Sequence, residues 1–150
     1  MNEMSLNEST IQNRKLLIVS CSKIKKNLQQ GPAIEIYDGP YYRLLRKSDL
    51  SNTDVKIISA KYGLIDSDTP ISPYEQRMTR KVAKLLVPTV SEGVLEALSS
   101  SKYSDVLLEL GKDYLNTVQV DWDKFPNKRI TIDRNPIGIR LHNLKKWLQS

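Results

Sequence analysis

Thiol and imidazole chemistry is nearly missing from this 150-residue sequence, which holds one cysteine, Cys21, and one histidine, His142. A lone cysteine excludes an internal disulfide and suits a reducing compartment, so a cytoplasmic location is expected. The two residues together cannot build the usual zinc site from one copy of the chain. A Ser-His-Asp triad would have to use His142, which falls in an ordinary amphipathic helical pattern. No apolar run approaches the roughly 18–20 residues that span a bilayer, so no membrane partner is expected. Residues 1–13 are polar, carry the acidic Glu3 and lack the apolar core of a signal peptide. They are expected to form a loose leader before one domain over 14–150, a size that folds without disulfides. Internal repeats and low-complexity segments are absent as well.

What the sequence does have is positive charge, a formal net +6. That balance favours polyanionic partners, either a phosphorylated small molecule or nucleic acid. The cations form separate clusters, among them Lys23/Lys25/Lys26 and Arg77/Arg80/Lys81/Lys84, and none is a basic tail. A merely basic surface accounts for the charge equally well.

Short apolar runs at 15–20 (KLLIVS) and 55–60 (VKIISA) end in small residues and predict buried strands. A third run, 105–110 (DVLLEL), stops at Gly111, and a weaker fourth lies at 129–132. Helical spacing appears over 40–47, then from Pro73 through Met78, Val82, Leu85 and Leu86. Pro88 is expected to end or kink that helix before a second piece carrying Val90, Val94, Leu95 and Leu98. A short helix is expected over 113–118. A last amphipathic helix carries Ile137, Leu141, Leu144 and Leu148, with Trp147 beside its apolar face. Strands alternating with helices predict a three-layer α/β fold: a mostly parallel sheet of four strands or slightly more, with helices on both faces.

Ligands of open α/β sheets bind beyond the carboxyl ends of the strands, which directs attention to three loops. The first, Ser20-Cys21-Ser22-Lys23-Ile24-Lys25-Lys26, offers small residues, two hydroxyls and its lysines to a phosphate or carboxylate. It lacks the glycines of a Walker or dinucleotide-binding loop. Cys21 beside Lys23 suggests a nucleophile, but no local histidine is there to activate it. The second holds Lys61, Tyr62 and Gly63, where Gly63 is expected to take a conformation that larger residues resist. The third, Ser72-Pro73-Tyr74-Glu75, has two readings: a capping box at a helix start, or a site in which Glu75 is a general acid or base near lysines. Tyr37, before an Asp-Gly-Pro turn, and Tyr114, after Gly111, are placed to reach the same rim, although a tyrosine with a buried ring and wet hydroxyl is commonplace.

The ordered motifs Ser20-Cys21-Ser22-Lys23, Ala33 to Tyr37, Ser59-Ala60-Lys61-Tyr62-Gly63-Leu64, Pro73-Tyr74-Glu75, Gly111 to Tyr114 and Gly138 to Trp147 resemble a family of small uncharacterised proteins. That family is distantly similar to the YaaA peroxide-stress proteins through its Tyr-Gly and Pro-Tyr segments. The resemblance implies protection from oxidative damage and DNA binding through an inserted helical motif, which this chain is too short to carry in full. It also implies a broad likeness to α/β enzymes that handle nucleobases and N-glycosidic bonds.

The leading expectation is a nucleotide- or nucleobase-related ligand bound at the strand ends, with or without chemistry on a modified nucleobase or N-glycosidic bond. Lys23 and Lys61 would hold the anion, Tyr37, Tyr62 or Tyr74 would stack on a base, and Glu75 would serve any acid–base step. No cofactor or metal is expected. The alternatives are a non-catalytic nucleic-acid-binding stress protein that uses Arg77, Arg80 and Lys84, and an interaction module with no ligand.

Overall fold

A computed structural model describes residues 13–23 and 25–150. The leader expected over 1–13 lies outside the described residues except for Asn13. Strand β1 (Arg14–Ser20) pairs in parallel with β3 (Thr53–Ser59) on one side and with β6 (Tyr103–Glu109) on the other. Strand β7 (Arg129–Ile132) adds in parallel to β6, while β4 (Gly63–Asp66) adds antiparallel to β3. The sheet order is β4-β3-β1-β6-β7, five strands, mostly parallel but mixed. A separate two-stranded ribbon joins β2 (Gly31–Pro32) to β5 (Pro70–Ile71).

The extra strand arises at a segment whose sequence reads as a loop. Residues 60–62 turn the chain back beside β3, and Gly63 makes the reversal at φ 74°. That is a left-handed conformation glycine adopts without steric penalty.

Helix α1 (Ala33–Ile36) and α2 (Pro40–Lys47) follow β2, and α3 (Arg80–Leu98) follows β5. A short α4 (Lys112–Leu115) follows β6, and α5 (Ile137–Gln149) closes the chain. No helix among the described residues is long and apolar enough to cross a membrane. The central strand divides its side chains by the two-residue period of a strand. Leu16 and Ile18 pack with Val90, Val94 and Leu98 of α3, whereas Leu17 and Val19 pack with Leu45 of α2 and Leu144 of α5.

One expectation for α3 is corrected, and of the two outcomes expected at Pro88, an end or a kink, the end does not occur. The helix begins at Arg80, not at Pro73, and its N-cap is Thr79, whose Oγ1 accepts from the Val82 amide at 3.1 Å. The chain from 72 to 79 is non-helical, because Tyr74 is anchored to the sheet edge instead (below). The helix also runs unbroken through Pro88. The cost of the missing amide is offset beyond it by Val90, Val94 and Leu98, all fully buried.

Candidate functional site

The carboxyl end of β1 is held open between two neighbouring loops. The Tyr42 hydroxyl donates to the Ser20 carbonyl at 2.7 Å, and the Gly111 amide donates to Ser20 Oγ at 3.1 Å. Ser22 Oγ donates to the Asp38 carbonyl. Asp38 is fixed in turn by Arg46, whose Nη2 donates to Oδ1 at 2.7 Å and whose Nη1 donates to the Ile34 and Tyr37 carbonyls. Arg46 first, with the Gly39 backbone, holds the Asp38 carboxyl below the usual aspartate range. The 20–23 loop is therefore tied to the start of α2 by hydrogen bonds and not by packing alone.

At the adjacent end of β3, three hydroxyls form a ring. Tyr37 Oη donates to Ser59 Oγ at 3.2 Å, Tyr74 Oη lies 2.6 Å from Tyr37 Oη, and it lies 2.8 Å from Ser59 Oγ. Ser59 Oγ also accepts from the Lys61 and Tyr62 amides, at 3.1 and 3.0 Å, which tightens the turn into β4. Burial pushes the Tyr37 phenol up to about 12 and raises Tyr74 as well, so both remain protonated at neutral pH. This ring draws residues 72–75 out of a helix and against the strand ends.

A cavity of about 790 Å³ opens between these two constructions. Cys21, Lys23, Lys25, Tyr74, Glu75 and Arg77 line it, and Tyr114 also reaches it. Lys25 Nζ stands 4.3 Å from the centroid of the Tyr74 ring, a cation–π contact. Burial lowers the Lys25 ammonium from its ordinary value, with Cys21 and Glu75 opposing. Cys21 Sγ is 3.1 Å from Tyr114 Oη, whose ionisation burial and then Cys21 push upward. A second cavity of about 270 Å³ shares Cys21, Ser22, Lys23 and Tyr114 with the first, and reaches down to Glu109 and Arg140.

The structure thus gathers Ser20, Cys21, Ser22, Lys23, Tyr74, Glu75 and Tyr114 at one edge of the sheet. Tyr37 stands apart in one respect: its ring is fully buried, so only its hydroxyl serves the site. Lys61, Tyr62 and Gly63 sit behind Tyr74. Tyr62 meets the Tyr74 ring edge-on at 5.4 Å, and Lys61 Nζ lies 5.1 Å from the Tyr62 ring centroid. Neither lines the two cavities. Glu75 is exposed at the rim and does not cap α3, so the capping-box reading fails.

Sequence reasoning had Lys25 in the first loop without singling it out, and it missed Glu109, Asp133 and Arg140 altogether. Glu109 has no exposed side-chain surface, and its carboxyl lies 3.9 Å from Arg140. Burial, then Asp133, lifts its pKa to about 8. Burial alone would raise Asp133 too, but hydrogen bonds from Asn135 and Asn143 outweigh it and keep that carboxyl low. The signal was an acid two residues before Gly111, directly after the apolar run Val106-Leu107-Leu108. No three Cys, His, Asp or Glu side chains among the described residues come together to hold a metal ion. His142 is exposed on α5, and it lines neither cavity.

No curated protein is similar enough to match this chain. A family of unknown function (DUF6884) matches residues 16–146, nearly the whole of the described chain, and the protein belongs to that family.

Proposed function

We propose that this protein binds a nucleotide-class ligand, an anion joined to a flat ring, in the cavity beyond the carboxyl ends of β1 and β3. The observation that carries the reading is the meeting, in the lining of one cavity, of Lys23, Lys25 and Arg77 with Tyr74. Three cations suit a phosphate, and Tyr74 supplies an aromatic wall. Glu75 at the rim is the group available for a proton transfer if the bound ligand is also transformed. The sheet is taken as the middle of three layers with helices on both faces, because alternate β1 side chains enter separate apolar clusters. The likeness to the YaaA proteins rests on short motifs alone and carries no part of this reading.

A second reading has its own observation. Arg80, Lys84 and Arg134 line a groove of about 570 Å³ together with Trp122, a combination suited to a nucleic-acid backbone and a stacked base. Such binding would weaken steeply with salt as counterions are released.

Thermal unfolding of the wild type, Lys23→Ala and Lys25→Ala against nucleoside monophosphates, ribose 5-phosphate and short oligonucleotides separates these readings. A ligand at about a hundred times its Kd adds roughly 2.7 kcal/mol, or roughly 5–10 °C in a domain of this size. A rise with a mononucleotide that is lost in the lysine variants supports the strand-end site. A rise with oligonucleotides only, at low salt, supports the groove. No rise with any probe leaves a ligand-free interaction module.

A further inference from the structure

We infer that the smaller cavity, floored by Glu109 and Arg140, is the subsite that reads the edge of a nucleobase, while the larger cavity holds the phosphate. This deepens the nucleotide reading and rests on it. Both carboxyl oxygens of Glu109 and Nε of Arg140 are buried without a hydrogen-bond partner of ordinary geometry among the described residues. Buried polar groups are almost always satisfied, and an orphaned one is costly, so a carboxyl and a guanidinium with unpartnered atoms in the lining of one cavity mark where a ligand is received.

The chemistry of the two groups narrows the ligand. Glu109, which keeps its proton at neutral pH, offers one O–H donor and a carbonyl acceptor, and Arg140 Nε donates. A lone cation would be repelled by Arg140, and a lone anion by Asp133 close behind Glu109. The fitting group is neutral and presents an N–H donor beside a carbonyl or ring-nitrogen acceptor. The walls select shape: Pro40, Tyr41, Tyr42 and Ile137 offer apolar and aromatic surfaces to a flat ring, which suits a base better than a sugar. Gly39 at the entrance has φ 126°, and a Cβ there would stand 3.4 Å from Ser22 Oγ, so a side chain at this point would strain the backbone where the loop meets the cavity. Because Cys21, Ser22, Lys23 and Tyr114 border both cavities, one ligand can place its base in the small one and its phosphate near Lys23 and Lys25.

The test is calorimetric titration of the full chain with AMP, GMP, CMP, UMP and ribose 5-phosphate, in the wild type and in Glu109→Leu. Leucine approximates the shape and removes both the acceptor and the donor. The expected result is that one base is preferred, that the preferred nucleotide binds more tightly than ribose 5-phosphate, and that its affinity falls about tenfold or more in Glu109→Leu. Ribose 5-phosphate should bind both proteins equally. Equal wild-type affinity for all four nucleotides and ribose 5-phosphate would overturn the base-edge subsite while leaving the phosphate site standing, and this comparison needs no variant. Unchanged nucleotide affinity in Glu109→Leu would overturn it in the same way. Binding of none of the five would overturn the subsite together with the reading beneath it.

Discussion

The hydroxyl of Tyr74 lies 2.6 Å from that of Tyr37, a residue 37 positions earlier in the chain, and both meet Ser59 Oγ. Deleting the Tyr74 hydroxyl removes two of the ring's three hydrogen bonds and leaves only that of Tyr37 to Ser59. Tyr74→Phe should therefore cost about 1–3 kcal/mol in urea unfolding. Lys61→Ala, which removes an exposed side chain behind the ring, should stay within about 0.5 kcal/mol. A Tyr74→Phe protein as stable as the wild type would remove the ring as the anchor of residues 72–79.

Gly63 makes the turn into β4 at φ 74°. An added Cβ would meet nothing closer than 3.9 Å, so the cost of Gly63→Ala is conformational rather than steric. It should amount to about 1–2 kcal/mol, read from the shift in the urea midpoint at constant slope. A neutral substitution would contradict the left-handed turn.

Glu109 gives stability a pH dependence of definite sign. Its pKa is about 8 in the folded protein against an ordinary value of 4.5, with Asp133, Arg140 and Tyr41 facing it. Between those values the folded state holds a proton that the unfolded state has lost. Stability contributed by this group thus falls as pH rises from about 5 to about 8, by at most about 1.4 kcal/mol per pH unit, and levels off above. Asp133, held low, acts only in more acidic solution, and Tyr41, raised to about 12, only in more alkaline. Unfolding measured at pH 5.5 and 8.5 should show a loss in the wild type that Glu109→Gln largely abolishes. An equal loss in both proteins would place the titration elsewhere.

Cys21 borders both cavities and is half-buried. Occupancy of either should shield its thiol, so alkylation of Cys21 should slow at least several-fold when a binding nucleotide is saturating. An unchanged rate with a ligand known to bind would put that ligand outside the strand ends.

Much of this architecture was legible in the sequence, and the exceptions have physical causes. Apolar runs that end in small residues marked β1 and β3, and one that stops at Gly111 marked β6, because buried parallel strands must be apolar on both sides, while the alternating, half-exposed β7 gave a weaker signal. Strand β4 was not visible. Its four residues carry no such run, and its place is fixed by the reversal at Gly63 and by pairing with β3. The start of α3 was misread because a good local cap at Ser72 lost to a tertiary bond from Tyr74 to Ser59, a contact that local spacing does not encode. Of the site residues, Cys21, Lys23, Tyr74 and Tyr114 were legible as strand-end residues. Glu109 was not, since the strand pattern gives no reason for an acid to be buried there until Arg140 arrives from the last helix.

The central claim is that a nucleotide-class ligand binds at the carboxyl ends of β1 and β3, and amide chemical shifts during a titration with the four nucleoside monophosphates test it most directly. The account predicts saturable shifts concentrated at Cys21, Ser22, Lys25, Tyr74, Glu75 and Tyr114, with Glu109 joining them for the preferred base. Shifts confined to Arg80, Lys84, Trp122 and Arg134, or none at millimolar nucleotide, would contradict it.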